Sequence, residues 1–278
     1  MPELPEVETI IRKLRPQLVG RTILDVEVLW ARTIDRPDLP DFRRILTGAR
    51  ITGLRRRGKY LVFELGSGHV LLVHLRMSGK FTLRAPSEGP GDHEHTRVRI
   101  QLDDGAWLEF INQRKFGRFY LVNEIKEIVE PLGPEPLSEE FTVSWLQEAL
   151  EGRRGEIKRL LLNQRFLAGL GNIYASEALW RARIHPERAS GSLSAEEVRR
   201  LHHAIVVTLK NGIDHGGTSL DDRQYVYPDG RLGAYQEQLC VYDREGDRCP
   251  RCGHELERIV QGQRSTYLCP QCQQKPVH

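Results

Sequence analysis

The opening residues Met1-Pro2-Glu3-Leu4-Pro5-Glu6 hold groups that could do chemistry if the initiator methionine is removed. Pro2 would then be N-terminal, and its nitrogen would change from an amide into a nucleophilic secondary amine. An α-amino group titrates near ~8, so a useful fraction is neutral at physiological pH. Such an amine can attack a carbonyl-like carbon and form an iminium ion, which is covalent catalysis of the Schiff-base type. Glu3 and Glu6 are close enough in the chain to serve as proton donor and electrostatic partner. The same six letters also spell an ordinary helix start, with Pro5 in the first turn and acids where the macrodipole favours them.

A second group of reactive side chains lies near the other end. Cys249-Pro-Arg-Cys252, sixteen intervening residues and Cys269-Pro-Gln-Cys272 have the spacing of a four-thiolate zinc ribbon, holding one structural Zn2+. Two close pairs of cysteines are metal spacing rather than a disulfide framework, and the fifth, Cys240, stands apart. The hairpin between the pairs should run through 257–260 and 264–268, with Gln261-Gly262-Gln263 at its tip. So small a module folds only around its metal, which would hold Arg264 rigidly near the tip.

Residues suited to nucleic acid are scattered between these ends. The formal net charge of the 278 residues is only +3, but Arg55-Arg56-Arg57 with Lys59, Arg114-Lys115 with Arg118, and Arg153-Arg154 with Lys158-Arg159 form local basic clusters. Clusters matter more than the sum for phosphate binding, although each alone also reads as a solvated face. Met77 lies in the turn Arg76 to Gly79, and Arg114 with Phe116 in the turn Asn112 to Gly117. Apolar side chains at turns need a cover, either a base stack that they wedge apart or a neighbouring loop. Ala168-Gly169-Leu170-Gly171-Asn172 opens a helix whose free N–H groups suit a phosphate; a plain glycine turn with an asparagine cap explains the same letters. His93 and His95 flank Glu94 and read by themselves as surface histidines.

These groups need elements to position them. Val7, Ile10, Ile11, Leu14 and Leu18 fall at helical spacing, so residues 5–19 form an amphipathic helix that docks the N-terminus on a core. Between residues 21 and 125, eight short runs rich in β-branched and aromatic residues predict a β-sandwich or barrel: 22–30, 50–56, 60–65, 70–75, 81–83, 97–102, 107–111 and 119–122. The polar stretch 84–95 is a long loop. Leu132-Gly133-Pro134-Glu135-Pro136 breaks regular structure, and helical periods follow at 143–151, 154–164, 171–183 and 194–211, the last opened by a capping box of Ser194 and Glu197. Residues 212–239 form a long loop whose aromatic residues argue against disorder. No apolar run approaches the ~20 residues of a membrane span, and no signal-like segment opens the chain, so a soluble cytoplasmic protein is expected.

Taken together, Pro2-Glu-Leu-Pro-Glu6, Arg57-Gly-Lys59, Met77-Ser-Gly79, Arg114-x-Phe-Gly117, Gly169 to Ser176 with Asn172, and the ribbon with Gln263-Arg264 resemble the bacterial formamidopyrimidine-DNA glycosylases along the whole chain. The resemblance implies an α+β multidomain fold. Its parts are an N-terminal β-sandwich with a docked N-terminal helix (1–132), a helix-two-turn-helix DNA-binding domain with a lesion loop (133–238) and a C-terminal zinc ribbon (239–278). It implies excision of oxidised purines, 8-oxoguanine and formamidopyrimidines, from damaged double-stranded DNA by a monomer, followed by β,δ-elimination. Pro2 would attack the sugar and Glu3 would protonate the ring oxygen. Lys59 and Arg264 would bind the flanking phosphates, and Met77, Arg114 and Phe116 would fill the gap left by the everted base. Lys158 and Asn172 would hold phosphates, His93 would contact the strand, and the loop 216–235 would close over the lesion. The chain departs from the usual pattern at Asn112-Gln113, where the family has Asp-Pro, at Arg76, where glycine is customary, and in a slightly longer lesion loop. The rival readings are the endonuclease VIII branch, acting on oxidised pyrimidines and set aside on Leu4 and the long loop, and a zinc DNA-binding protein without catalysis.

Overall fold

The computed structural model describes residues 1–220 and 225–275. The chain forms two compact units, Met1–Pro131 with His215–Gln236, and Leu132–Asp214 with Glu237–His278. The sequence motif Asp221 to Gln224 of the lesion loop lies outside the described residues.

In the first unit, helix α1 (Leu4–Leu18) buries Val7, Ile10, Ile11, Leu14 and Leu18, the stripe the sequence predicts. Strand β1 (Ile23–Val28), strand β2 (Ile34–Arg36) and helix α2 (Leu39–Leu46) follow. Then come β3 (Ile51–Arg57), β4 (Tyr60–Leu65), β5 (Val70–His74), β6 (Gly79–Arg84), β7 (Thr96–Leu102), β8 (Trp107–Asn112), β9 (Arg118–Val122) and the short helix α3 (Lys126–Val129). The strands form a four-stranded sheet, β1-β7-β8-β6, and a five-stranded one, β2-β9-β5-β4-β3. Phe81 and Phe110 from one sheet meet Phe63 and Phe119 from the other, with ring centroids 5.0–6.3 Å apart. Burying each such ring is worth roughly 1.5–3 kcal/mol, so this aromatic layer is what makes the sandwich a sandwich.

All eight expected strands are present. Three elements were not anticipated: β2, which pairs parallel to β9, α2, and the single-turn α3. A three-residue strand shows no alternation to read, and its pairing comes from a partner more than 80 residues away. Helix α2 did carry a signal, since Asp38 accepts from the Asp41 N–H and Pro40 sits in the first turn.

The second unit contains α4 (Val143–Leu150), α5 (Ile157–Leu161), α6 (Asn172–Ala182), α7 (Ala195–Asp214) and the hairpin β10 (Glu257–Gln261) and β11 (Arg264–Leu268). The capping box of α7 is in place: the Ser194 N–H donates to the Glu197 carboxylate at 2.8 Å, and the Glu197 N–H to Ser194 Oγ at 3.3 Å. At the hairpin tip Gly262 and Gln263 both take positive φ, 54° and 64°, as a two-residue type I′ turn demands. No helix among the described residues is long and apolar enough to cross a membrane.

Glu177, on α6, is fully buried. Its carboxylate accepts the N–H groups of Cys240, Val241 and Tyr242 at 2.9–3.1 Å, which fixes the strand of chain that leads into the ribbon. Burial raises its carboxyl pKa, and the three amides oppose that rise. Replacing Glu177 by Ala strands three N–H groups, that of Val241 buried and those of Cys240 and Tyr242 partly so, so the variant should lose about 3 kcal/mol by chemical denaturation, with faster amide exchange at 240–242. A variant of unchanged stability would show the clamp to be idle.

Candidate active site and nucleic-acid interface

In the first unit, Pro2 is buried while Met1 is 44% exposed. The N-terminus is held by Glu6, only 2% exposed, whose carboxylate accepts the Glu3 N–H at 2.7 Å and the Thr218 N–H at 2.8 Å. Glu6 is therefore a bracket between the start of α1 and residues 216–218. That differs from the expected role of proton donor or partner to the reacting centre. Gly217 takes φ +81°, and a Cβ there would meet Glu6 Oε1 at 2.9 Å and Tyr225 at 3.0 Å. The Tyr225 hydroxyl donates to the Gly216 carbonyl at 2.9 Å, and Tyr225 and Tyr235 are buried, so the aromatic residues of this loop are structural.

Lys59, at the β3–β4 turn, is 5% exposed. Arg56 links that turn to α1, donating to Glu8 at 3.3 Å and to the Gly58 carbonyl at 3.1 Å. Beside Lys59 stands His74, which sequence reasoning passed over as a strand residue. Its Nδ1 accepts the Arg76 N–H at 2.9 Å, and its ring meets Tyr60 edge-on. Burial, then the charges of Arg76 and Lys59, push its pKa down to about 3. A neutral imidazole with its proton on Nε2 follows.

Met77 and Phe116 are 42% and 49% exposed at the ends of their turns. Arg114 lies 5.2 Å from the centroid of the Phe116 ring. Arg76 and Lys115 take φ of 55° and 58°, and the first explains why glycine is customary there. His93 is exposed and accepts the His95 N–H at Nδ1.

In the second unit Asn172 is the first residue of α6 and Arg264 is exposed at the ribbon tip. Asn172 Nδ2 donates to the Ser265 carbonyl at 2.9 Å, and Lys158 Nζ to the same oxygen at 3.2 Å and to Thr266 Oγ1 at 2.7 Å. Lys158 is 1% exposed, which corrects the expectation of a phosphate contact. A buried ammonium must take protein acceptors, and this one ties α5 to the strand that carries Arg264. The four sulfurs of Cys249, Cys252, Cys269 and Cys272 lie within 4.8 Å of one another, with 3.5 Å from Cys252 to Cys269 and 4.0 Å from Cys249 to Cys272. A tetrahedral ion with Zn–S bonds of ~2.3 Å needs sulfurs ~3.8 Å apart, so the set fits zinc.

Residues 1–119 match the model of the formamidopyrimidine-DNA glycosylase N-terminal domain, residues 132–224 that family's H2TH domain, and residues 246–275 the zinc finger found in FPG and IleRS. The chain belongs to the formamidopyrimidine-DNA glycosylase family. The enzyme of that name from Chloroflexus aggregans is 47% identical over 276 residues, 98% of each chain. Lactococcus lactis Fpg (MutM), solved with Fapy-dG-containing DNA, superposes with a TM-score of 0.90 at 37% identity over 98% of this chain and 100% of that one. A MutM bound to DNA containing carbocyclic 8-oxo-G superposes equally well, at 0.90 and 37%, over 99% and 100%. As in the family, the ribbon carries one structural zinc, which joins its two turns.

Two predictions follow from this geometry. Unfolded, His74 takes up a proton near pH 6.5; folded, not until about 3, so its contribution to stability is intact above 6.5 and is lost as the pH falls. From pH 7 to 5 that loss is about 2 kcal/mol, and His74→Asn should remove it from the pH profile of unfolding; equal slopes in both proteins would rule it out. Cys269→Ser should lower the zinc content below one per chain and melt the ribbon, as read by metal analysis and amide exchange.

Proposed function

We propose that the protein is a bifunctional DNA glycosylase and abasic-site lyase that removes 8-oxoguanine and formamidopyrimidines from duplex DNA. The observation that carries this reading is the docked terminus: a buried Pro2 next to a helix start pinned by Glu6. A nucleophile can be aimed only from such a fixed position.

With Met1 removed, the Pro2 amine attacks C1′ of the damaged nucleotide, the bond from C1′ to the base breaks, and Glu3 gives its proton to the ring oxygen. The opened sugar is then an iminium ion on Pro2. Loss of the C2′ proton expels the 3′ phosphate, and a second elimination expels the 5′ phosphate. Lys59 and Arg264 bind the phosphates on either side of the lesion, with Asn172 as a third contact. Glu6 keeps the nucleophile in place. Met77, Arg114 and Phe116 enter the stack where the base has left, Arg114 facing the orphaned cytosine, and His93 touches the strand. Lys158 and the zinc keep Arg264 in position. The partner is damaged DNA in the cytoplasm of a bacterium, and the protein acts as a monomer.

Borohydride reduction during turnover of an 8-oxoguanine duplex should trap a covalent protein–DNA adduct, and peptide mapping should find it on the N-terminal peptide beginning with Pro2. Glu3→Gln should slow base release by about 10²-fold. An adduct mapped to any lysine, or a mature chain that keeps Met1 and still cleaves at full rate, would overturn the mechanism.

A further inference from the structure

Asn112 ends β8 and is 1% exposed. Its side-chain amide works in two directions: Nδ2 donates to Ser78 Oγ at 3.1 Å, and Oδ1 accepts the Gly117 N–H at 2.8 Å. Its backbone is equally occupied. The N–H donates to the His95 carbonyl at 2.9 Å, and the carbonyl accepts Arg97 Nε at 3.0 Å and the Lys115 N–H at 3.3 Å. One residue thus joins the turn that presents Met77, the turn that presents Arg114 and Phe116, and the loop that presents His93. Ser78 Oγ is a shared post, because it also accepts the Arg114 N–H at 3.2 Å.

Neither turn stands by itself. Arg76 and Lys115 are both left-handed, a conformation that non-glycine residues keep only when their surroundings hold them in it. Gly79 and Gly117 press their backbones so closely on Leu75 and Phe110 that an added Cβ would lie 2.4 Å from the Leu75 carbonyl oxygen and from the Phe110 ring respectively. We propose that Asn112 is a positioning residue that locks Met77, Arg114 and Phe116 into one preset wedge, so that base eversion does not have to order them. This inference rests on the wedge reading above.

A side-chain amide supplies an NH2 donor group and an acceptor oxygen, and Asn112 uses both. A carboxylate supplies two acceptors. The Ser78 hydroxyl could then turn to donate while still accepting from Arg114, so Asn112→Asp keeps both connections. Alanine keeps neither. A residue that only stabilised the sandwich would affect every substrate alike, whereas one that presets the wedge matters where a base must be pushed out of the stack.

The test compares two rates in the same duplex for the full-length enzyme: single-turnover excision of 8-oxoguanine, and cleavage of a preformed abasic site. Asn112→Ala should slow excision about tenfold and abasic-site cleavage less than about twofold, with Asn112→Asp restoring most of the excision rate. Asn112→Ser replaces the alanine variant if that does not purify folded. Equal effects on both rates, no effect, or no rescue by Asp overturns the proposal. Phe116→Ala and Met77→Ala run in parallel. If neither slows excision, the wedge reading itself falls; if they do and Asn112→Ala does not, only the role of Asn112 falls.

Discussion

The Glu6 carboxylate is almost completely removed from water, and it accepts one amide from Glu3, the N-cap of its own helix, and another from Thr218, 212 residues further along the chain. A buried carboxylate needs such donors, because leaving it unsatisfied would cost several kcal/mol. That necessity is what fixes the terminus. Chain ends fray by default, and covalent chemistry at a chain end requires the opposite. The glycine pair Gly216-Gly217 and Tyr225 serve the same joint, since only a residue without a side chain fits between Glu6 and the tyrosine ring.

The same rule organises the second unit. Lys158 and Asn172 both donate to the Ser265 carbonyl, one residue beyond Arg264, and Glu177 collects three consecutive amides just ahead of the ribbon. The ribbon is thus held by its metal at one end and by buried polar contacts from the helical layer near the other. Charged residues that look from sequence like ligands for phosphate are here divided into two kinds. Some, such as Arg264, face solvent and are available to a partner; others, such as Lys158, are spent inside the protein.

Much of the fold was legible because its signals are local. The stripe of α1, the alternation of eight strands, the Ser194–Glu197 capping box and the paired cysteines each occupy a few turns or a single hairpin, and each appears where the residues put it. Strand β2 and helix α2 escaped for a reason of scale. One is too short to show a period, and the other has only Phe42 and Leu46 buried to mark its face. Of the site, the candidates themselves were readable, but not what each of them touches. His74 looked like one more strand residue, and only its burial, with the charges of Arg76 and Lys59, keeps it a neutral imidazole well into acid.

By itself the sequence determined which reactive groups exist: an amine that processing can uncover, a four-thiolate set at ribbon spacing, and apolar residues in turns flanked by cations. Composition and spacing are properties of the chain, and they survive without coordinates. Tertiary structure alone decided which polar groups lose their water, and therefore which must find partners within the protein. Desolvation depends on residues far apart in sequence, so it assigned Glu6 to a joint with Thr218, Lys158 to a strut and Asn112 to the junction of three loops.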